Sequence, residues 1–367
     1  MRVFISEYVC GGGWPENEVA GSLATEGRSM LAAVVEDFAR IAGVRVATTW
    51  DARLGPFPVR GVFVVITKSP ADELHTFRKL AAECDATLVI APEFHGILKE
   101  RCEIVEECGI RLIGPRVRAV ALCADKLKLA DHLHCAGIPT IATNPLILAS
   151  AFPVPGRDGS TPFPVVVKPR DGAGSQDVSL VDSAEELERL SDHLAQAAPR
   201  REFVWQRFVP GRALSVAMIF SPSRAEVEVF PPAEQILSDN RTFRYLGGRV
   251  PATAIDGNVN RDMALEACRC VPGLSGYVGV DLIVPEDSPQ RPVVVEINPR
   301  LTTSYLGYRA LAKNNLAEWM LIPSRFQRPI RWRKGPIEFD AAGKSFDGRP
   351  HDAKEPSRRA LPHRAAP

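Results

Sequence analysis

The chain has 367 residues, of which 45% are hydrophobic and 24% are charged, and its formal net charge is +1. These values are typical of a soluble globular protein with room for two or three domains. A net charge near zero does not support binding to nucleic acid or to a membrane surface by bulk electrostatics. No window approaches the roughly 20 apolar residues that span a bilayer.

The eight cysteines are scattered, and none forms a C-x-x-C pair. Neither a zinc site nor a disulfide framework is therefore indicated, and we expect reduced thiols in or near the cores. The N-terminal apolar run is short and meets Glu7 early, unlike a signal peptide. These features predict a cytoplasmic protein.

Residues 1–115 alternate between predicted strands and helices. The strands are apolar and β-branched, as buried parallel strands are: "RVFIS", "VRVATT", "GVFVVIT" and "TLVIAP". The segments between them have helical periodicity: "EGRSMLAAVVEDFARIAG", "PADELHTFRKLAAEC" and "EFHGILKERCEIVEECG". This alternation predicts an open α/β domain.

The rest of the chain has a different pattern. Two short helices are predicted in 116–144, and the Pro-, Gly- and Ser-rich segment 145–164 is predicted to be a loop between domains or lobes. From 164 onward, short strands and two helices predict an α+β unit with antiparallel pairing. We divide this part into 116–207 and 208–330, followed by a terminal segment 331–343. The Pro/Arg/Ala-rich tail 344–367 is expected to be disordered.

The stretch "VVVEINPRLTTS" (293–304) begins as a buried strand but carries Glu296, Asn298 and Arg300 on alternate positions. A hairpin with the preceding strand, centred near residue 288, would place Asp281 opposite Glu296. Cross-strand neighbours on one face have Cβ atoms about 4.5–5.5 Å apart. Two carboxylates and an amide oxygen suit Mg²⁺, and Arg300 would face phosphate or acyl oxygens.

Taken alone, these residues could equally be a chance polar pair on a half-exposed hairpin. A register slip of one residue would place the two carboxylates on opposite faces of the sheet.

A second group of residues supports phosphate chemistry. Lys168 ends the apolar run "PVVVKP", and the small residues "GAGS" (172–175) follow it. Loops of this kind let backbone N–H groups approach phosphates, although a simple hairpin turn is an alternative. The G-K-[ST] ending of a P-loop is missing, and "CGGGW" (10–14) lacks the spacing of a dinucleotide fingerprint. Lys126 lies early in a predicted helix, where a lysine is usually solvated, and it is a candidate only because of these other residues.

In their order, five motifs across about 116–310 resemble the ATP-grasp superfamily: "DKLKLADHLHCAGIPT", "VVVKPRDGAGSQDVSLV", "WQRFVPGRALSV", "VGVDLIV" and "VVVEINPR". Residues 1–115 resemble the α/β domain that precedes the ATP-grasp domain in that superfamily. The resemblance implies two α+β lobes that enclose a nucleotide. It also implies ATP and Mg²⁺ as cofactors, with Mn²⁺ as a substitute.

The resemblance also implies roles for individual residues. Lys126 and Lys168 resemble the two nucleotide-binding lysines, and residues 171–177 resemble the mobile loop over the phosphates (Gly172, Ala173, Gly174, Ser175, Gln176). The hinge that meets adenine corresponds to Gln206, Arg207, Phe208 and Val209. Asp281, Glu296 and Asn298 resemble the magnesium ligands, and Arg300 resembles the arginine of the E-x-N-P-R motif.

Two positions depart from the family pattern. Ala213 stands where many relatives have a ribose-binding glutamate, and Gly279 stands where some peptide-forming ligases have an arginine. Ribose anchoring and the arginine that stabilises the transition state are therefore open. The candidates for that arginine are Arg241, Arg244 and Arg300.

Narrower features resemble the tyramine–glutamate ligase branch, which makes an early amide in methanofuran-type cofactors: "SEYVCGGG", "EGRSML" and "QILSDNRTFRYLGGRVP" (235–251). This resemblance implies an acyl phosphate formed on the γ-carboxyl of L-glutamate and an aromatic amine, tyramine or a relative such as tyrosine, as nucleophile. The implied substrate contacts are Glu7, Tyr8, Gly11, Gly12, Gly13, Gln235, Tyr245, Gly247 and Gly248. For Glu7 and the three glycines, a strand-to-helix connection without a ligand is the alternative.

Two other functions stay open from the sequence. One is another ATP-grasp amino-acid or peptide ligase with a different amine. The other is a nucleotide-binding regulatory protein without turnover, which only Ala213 favours. We expect small-molecule substrates, no nucleic-acid or membrane partner, and leave a homo-oligomer open.

Overall fold

The computed structural model describes residues 1–15, 17–147, 163–172, 174 and 176–347. The first part of the chain forms a parallel five-stranded sheet in the order β3-β2-β1-β4-β5. Its elements are β1 (Arg2–Glu7), α1 (Gly21–Ala39), β2 (Arg45–Asp51), β3 (Phe63–Thr67), α2 (Pro70–Glu83), β4 (Ala86–Ile90), α3 (Ile97–Glu107) and β5 (Arg111–Leu112). The predicted open α/β unit is confirmed. The strand order reverses at β1, which is where such sheets place ligands at the carboxyl ends of their strands.

Two short helices lead into a four-stranded antiparallel sheet in the order β6-β9-β7-β8. The elements are α4 (Val117–Ala124), α5 (Lys126–Cys135), β6 (Thr143–Leu146), β7 (Val165–Pro169), β8 (Ser179–Val181), α6 (Ala184–Ala197) and β9 (Phe203–Arg207). Strand β6 extends into the segment predicted to be a loop, and most of that segment lies outside the described residues.

The remaining chain builds an eight-stranded sheet in the order β15-β14-β10-β12-β13-β16-β17, with β11 paired to β10. Its elements are β10 (Gly211–Phe220), β11 (Val227–Val229), β12 (Ala233–Leu237), β13 (Tyr245–Val250), α7 (Gly257–Cys270), β14 (Gly276–Pro285), β15 (Val293–Asn298), α8 (Tyr305–Leu311), α9 (Ala317–Leu321), β16 (Ile337–Asp340) and β17 (Ser345–Asp347). The predicted antiparallel pairing is confirmed. The sequence did not predict β12, β13, β16 or β17. Beyond 347 the predicted disordered tail lies outside the described residues.

Helix α1 of the first domain packs on α8 of the last sheet. The Tyr305 hydroxyl donates to Asp37 Oδ2 at 2.7 Å, and Arg309 donates to both Asp37 oxygens. Phe38 and Trp319 lie in the same buried cluster. The first domain is thus held against the eight-stranded sheet, which places the carboxyl edge of its own sheet beside β15. Within the described residues, no helix is long and apolar enough to cross a membrane.

Candidate active site

A cavity of about 260 Å³ lies between the four-stranded and the eight-stranded sheets. Strands β7 and β9 line one side, and β10 and β12–β15 line the other. Part of the lining is apolar: Ile141, Val166, Val178, Phe208, Val209, Leu237, Phe243, Leu282, Ile283 and Val295. The other part is strongly polar and holds the lysine candidates and the metal-ligand candidates that the sequence singled out.

The hairpin β14–β15 brings the metal-ligand candidates together. Asp281 pairs directly with Glu296, as the predicted register requires, and a bulge follows Asp281. Asn298 Nδ2 donates to Asp281 Oδ2 at 2.9 Å, and Gln235 Nε2 of β12 donates to Asp281 Oδ1 at 3.0 Å. The two carboxylates and the amide therefore share one face of the sheet, turned toward the cavity.

The electrostatics of this pair favour a bound cation. Burial, and then the charge of Glu296, raises the pKa of Asp281 to about 7. Burial would also raise the pKa of Glu296, but the charges of Lys126, Lys168 and Arg300 outweigh it, so that pKa is lowered. Two adjacent carboxylates that resist joint ionisation, next to an amide, are a donor set that fits Mg²⁺.

Both lysines are buried at this site. Lys126 begins α5, and its Nζ lies 3.7 Å from Glu296 Oε2 and donates to the Gly172 carbonyl at 2.9 Å. Lys168 lies on β7 and is 6% exposed. Burial lowers the pKa of Lys168 to about 8, the nearby Lys126 charge lowers it further, and Glu296 and Asp281 oppose the shift.

The glycine loop and the hinge lie in the cavity wall. Gly172, Gly174 and Gln176 line the cavity; Ala173 and Ser175 lie outside the described residues. Gly174 has φ +67°, and a Cβ there would lie 2.9 Å from a Leu23 methyl of α1. The hinge residues Gln206, Arg207, Phe208 and Val209 all line the cavity.

The three candidate arginines lie in different places. Arg300 lines the cavity, and Glu93 holds its guanidinium with two hydrogen bonds of 2.8 and 3.0 Å. Arg241 is ion-paired with Glu186, which lies on α6, and with Asp182, which lies just before that helix. Arg244 is exposed, and neither it nor Arg241 belongs to the described lining of the cavity. The structure brings only Arg300 to the carboxylate pair.

The residues predicted to contact the substrate also lie in different places. Gln235 and Tyr245 line the cavity. Gly247 and Gly248 are buried in β13, where added Cβ atoms would meet Phe339 and neighbouring backbone.

The N-terminal candidates lie behind the cavity, outside its described lining. Glu7 is 3% exposed, and its carboxylate accepts from the backbone N–H groups of Val9 and Cys10. Gly11, Gly12 and Gly13 form one π-helical turn with Val9 and Cys10. Tyr8 is half-buried and lies 5.6 Å from Arg101. These contacts fit the strand-to-helix connection that the sequence left as the alternative, and a substrate role for these residues stays a prediction.

Several cavity residues were not predicted: Glu26, Ser215, Thr302, Thr303 and Ser304. Glu93, the partner of Arg300, was also missed. Some signal existed for all of them except Ser215: Glu26 opens "EGRSML", Glu93 follows the carboxyl end of β4, and three hydroxyl residues come shortly after Arg300. Their places in the cavity depend on how the domains dock, which local patterns do not report.

Two family models match the chain, an ATP-grasp domain over residues 123–304 and a pre-ATP-grasp domain over residues 44–120. Together with the fold and the site, they show that the chain belongs to the ATP-grasp family.

Among individual relatives, the tyramine–L-glutamate ligase of Methanocaldococcus fervens is 27% identical over 65% of this chain and 65% of its own length. A D-alanine–D-alanine ligase of Gloeobacter violaceus is 28% identical over 56% of this chain and 69% of its own length. A solved structure of an ATP-grasp superfamily protein from Archaeoglobus fulgidus matches with a TM-score of 0.68 at 22% identity, over 93% of this chain and 92% of that one. The chain thus spans just under two thirds of the first relative.

Proposed function

We propose that the chain is an ATP-dependent carboxylate–amine ligase that joins the γ-carboxyl of L-glutamate to tyramine or a related aromatic amine. The observation that carries this proposal is the meeting of Asp281, Glu296 and Asn298 with Lys126 and Lys168 in one cavity. The likeness to tyramine–glutamate ligase supports the choice of substrates.

The reaction would take place in two balanced steps. A substrate carboxylate oxygen attacks the γ-phosphorus of ATP, the bond to the bridging oxygen breaks, and ADP leaves. The amine nitrogen then attacks the carbonyl carbon of the acyl phosphate, the C–O bond to phosphate breaks, and the amine releases a proton. The products are the amide, ADP and phosphate.

The first step depends mainly on positioning and charge neutralisation. Lys126 and Lys168 would hold phosphate oxygens, and the N–H groups of the 171–177 loop would approach them from the other side. Asp281, Glu296 and Asn298 would hold Mg²⁺, which neutralises charge on the triphosphate when bound. The apolar lining around Phe208 and Leu282 suits the adenine base.

Closure of the 171–177 loop would keep water from the acyl phosphate. The Arg300 guanidinium is oriented by Glu93, and its charge acts on Glu296. In the proposed reaction, Arg300 would contact acyl or phosphate oxygens.

The test is amide formation by the purified full chain with ATP, Mg²⁺, L-glutamate and tyramine, followed by mass spectrometry and by ADP release. Asp281→Asn should lower kcat by about a thousandfold, because it removes a ligand of the phosphate-neutralising cation. ADP release that needs neither substrate, or no amide from this pair, would contradict the assignment.

A second candidate is an amino-acid ligase with another amine, which the likeness to D-alanine–D-alanine ligase favours. It would use the same nucleotide residues and differ in the acceptor pocket. The same assay with D-alanine as the sole amino acid separates the two: a D-alanyl dipeptide with no tyramine amide would favour the second candidate.

A further inference from the structure

Glu26 is a buried carboxylate in the wall of the cavity that the proposed nucleotide site does not use. It lies on the second turn of α1, in the first domain, and is 8% exposed. Its Oε2 accepts a 2.6 Å hydrogen bond from the Thr303 hydroxyl. Its Oε1 is buried and has no hydrogen-bond partner among the described residues. A buried oxygen of this kind calls for a donor, because leaving it unpaired costs the free energy of removing it from water.

The protein holds Glu26 in this position through close packing. Gly27, the next residue of α1, has no side chain, and a Cβ there would lie 2.7 Å from the Glu7 carboxylate. Glu7 is itself fixed by the N–H groups of Val9 and Cys10. The helix therefore approaches the end of β1 closely, which directs Glu26 toward Thr303 and the cavity.

The charge of Glu26 indicates what it can bind. A carboxylate repels phosphate oxygens, so it does not suit the triphosphate. Arg300, whose charge acts on Glu26, is already paired with both Glu93 oxygens. Burial raises the pKa of Glu26, while the Thr303 hydrogen bond and the Arg300 charge oppose the shift. A substrate cation would favour the charged form further.

The cavity surroundings point to the same ligand. Tyr245 and Gln235 line the wall on the side of β12 and β13, and the charges of both Glu26 and Asp281 contribute to the raised pKa of Tyr245. Glu26 and the carboxylate pair thus lie within electrostatic reach of one side chain. Because Glu26 and Asp281 line the same cavity, a substrate whose carboxyl lies at Asp281 for phosphoryl transfer shares that cavity with Glu26.

We propose that Glu26 binds a primary ammonium group of the amino-acid or amine substrate and so determines which substrates the cavity accepts. This proposal rests on the proposed ligase function. The ammonium could belong to the carboxylate-bearing amino acid or to the amine that attacks it. Both sources share the same chemistry, a charged N–H donor to the free Glu26 oxygen, with an expected preference of about 10- to 100-fold over the deaminated compound.

The experiment measures equilibrium binding to the full chain by calorimetry, with a non-hydrolysable ATP analogue and Mg²⁺ present. Three matched pairs serve as probes: L-glutamate and glutarate, tyramine and 4-ethylphenol, and D-alanine and propionate. We expect the wild type to prefer the ammonium-bearing member of at least one pair by tenfold or more, and the pair that responds identifies the source. In Glu26→Gln, that preference should fall to within about twofold.

Glu26→Gln keeps an oxygen for the Thr303 hydroxyl, and Glu26→Asp, which keeps the charge, should restore part of the preference. Glu18→Gln, an exposed neutralisation before α1, is the matched control. If Glu26 only tied the domains together, both members of each pair would weaken equally. An unchanged preference in Glu26→Gln, or no preference in the wild type for any pair, overturns the proposal. Amide formation is scored separately, so a wrong substrate assignment is distinguishable from a wrong role for Glu26.

Discussion

Asp281 and Glu296 face each other across β14 and β15, yet neutralising them should change stability in opposite directions. Burial, and then Glu296, raises the pKa of Asp281 from its ordinary 3.8 to about 7. The stability that this protonated group contributes is fully present below pH 3.8 and is lost as the pH rises through about 7. At pH 8, ionised Asp281 therefore destabilises the metal-free protein.

The size of the effect follows from the shift. About 3 pKa units at 1.36 kcal/mol each give about 4 kcal/mol as an upper limit. Solvent reaches part of the side chain, and one acceptor of the hydrogen bonds from Gln235 and Asn298 is lost. We therefore expect Asp281→Asn to stabilise the metal-free protein by about 2 kcal/mol at pH 8, or about 3 °C in Tm.

Glu296→Gln makes the same chemical change with the opposite result. Its pKa is lowered because Lys126, Lys168 and Arg300 outweigh its burial, so its stabilising contribution is present above its ordinary pKa and lost in acid. Without it, Lys126 loses the carboxylate that lies 3.7 Å from its Nζ, and Lys168 keeps only the charge of Asp281. Glu296→Gln should lower Tm at pH 8.

The assay is thermal unfolding in EDTA at pH 8 and at pH 5 for the wild type and both variants. The gain from Asp281→Asn should shrink at pH 5, where the wild-type carboxyl is already protonated. Saturating Mg²⁺ should raise the wild-type Tm more than that of either variant. A lower Tm for Asp281→Asn in EDTA at pH 8 would refute the combined cost of burial and repulsion on which this reasoning rests.

Three further results are expected. The affinity of the wild type for ATP should fall between pH 8 and pH 10 because Lys168 loses its proton. The Lys168→Arg variant should keep its affinity for ATP in that range. A parallel fall in both proteins would rule out Lys168 as the cause. Gly27→Ala should lower stability by about 1–3 kcal/mol because its Cβ would displace the Glu7 carboxylate, while Gly257→Ala, with only Pro232 at 3.8 Å, should change the unfolding midpoint little. Glu93→Gln should lower the free energy of unfolding, measured with denaturant, by about 3 kcal/mol because Arg300 is left without its anionic partner. An effect no larger than that of Glu100→Gln, at an exposed position, would contradict this prediction.

The carboxylate hairpin could be predicted from sequence because its geometry is local. Asp281 and Glu296 are separated by one turn, and strand periodicity decides which face each side chain occupies. Lys168 was recognisable for a similar reason, since a charged residue at the end of an apolar strand is unusual. The strands β12 and β13 were missed because glycines and scattered polar residues obscure their alternation, and pairing with neighbours stabilises them instead.

Contacts between domains were beyond reach of the sequence. Glu93 and Arg300 are 207 residues apart, and Glu26 and Thr303 are 277 apart. No periodic pattern connects such positions, and each pair joins the first domain to the segment that follows β15. The expected substrate role of the N-terminal glycines illustrates the same limit: a glycine run reports a close backbone approach, but not whether a ligand or another helix makes it.

The charges of the cavity connect these separate observations. Three carboxylates of the cavity wall, Asp281, Glu296 and Glu26, share it with the cations Lys126, Lys168 and Arg207, while Arg300 is paired with Glu93. The carboxylate pair Asp281 and Glu296 repels a triphosphate, and a divalent cation bound between them would remove that repulsion. The repulsion that weakens the metal-free fold is thus the same feature that prepares the site for a metal and its nucleotide. Glu26 is separate from that pair, and the cation that we propose for it is the ammonium group of a substrate.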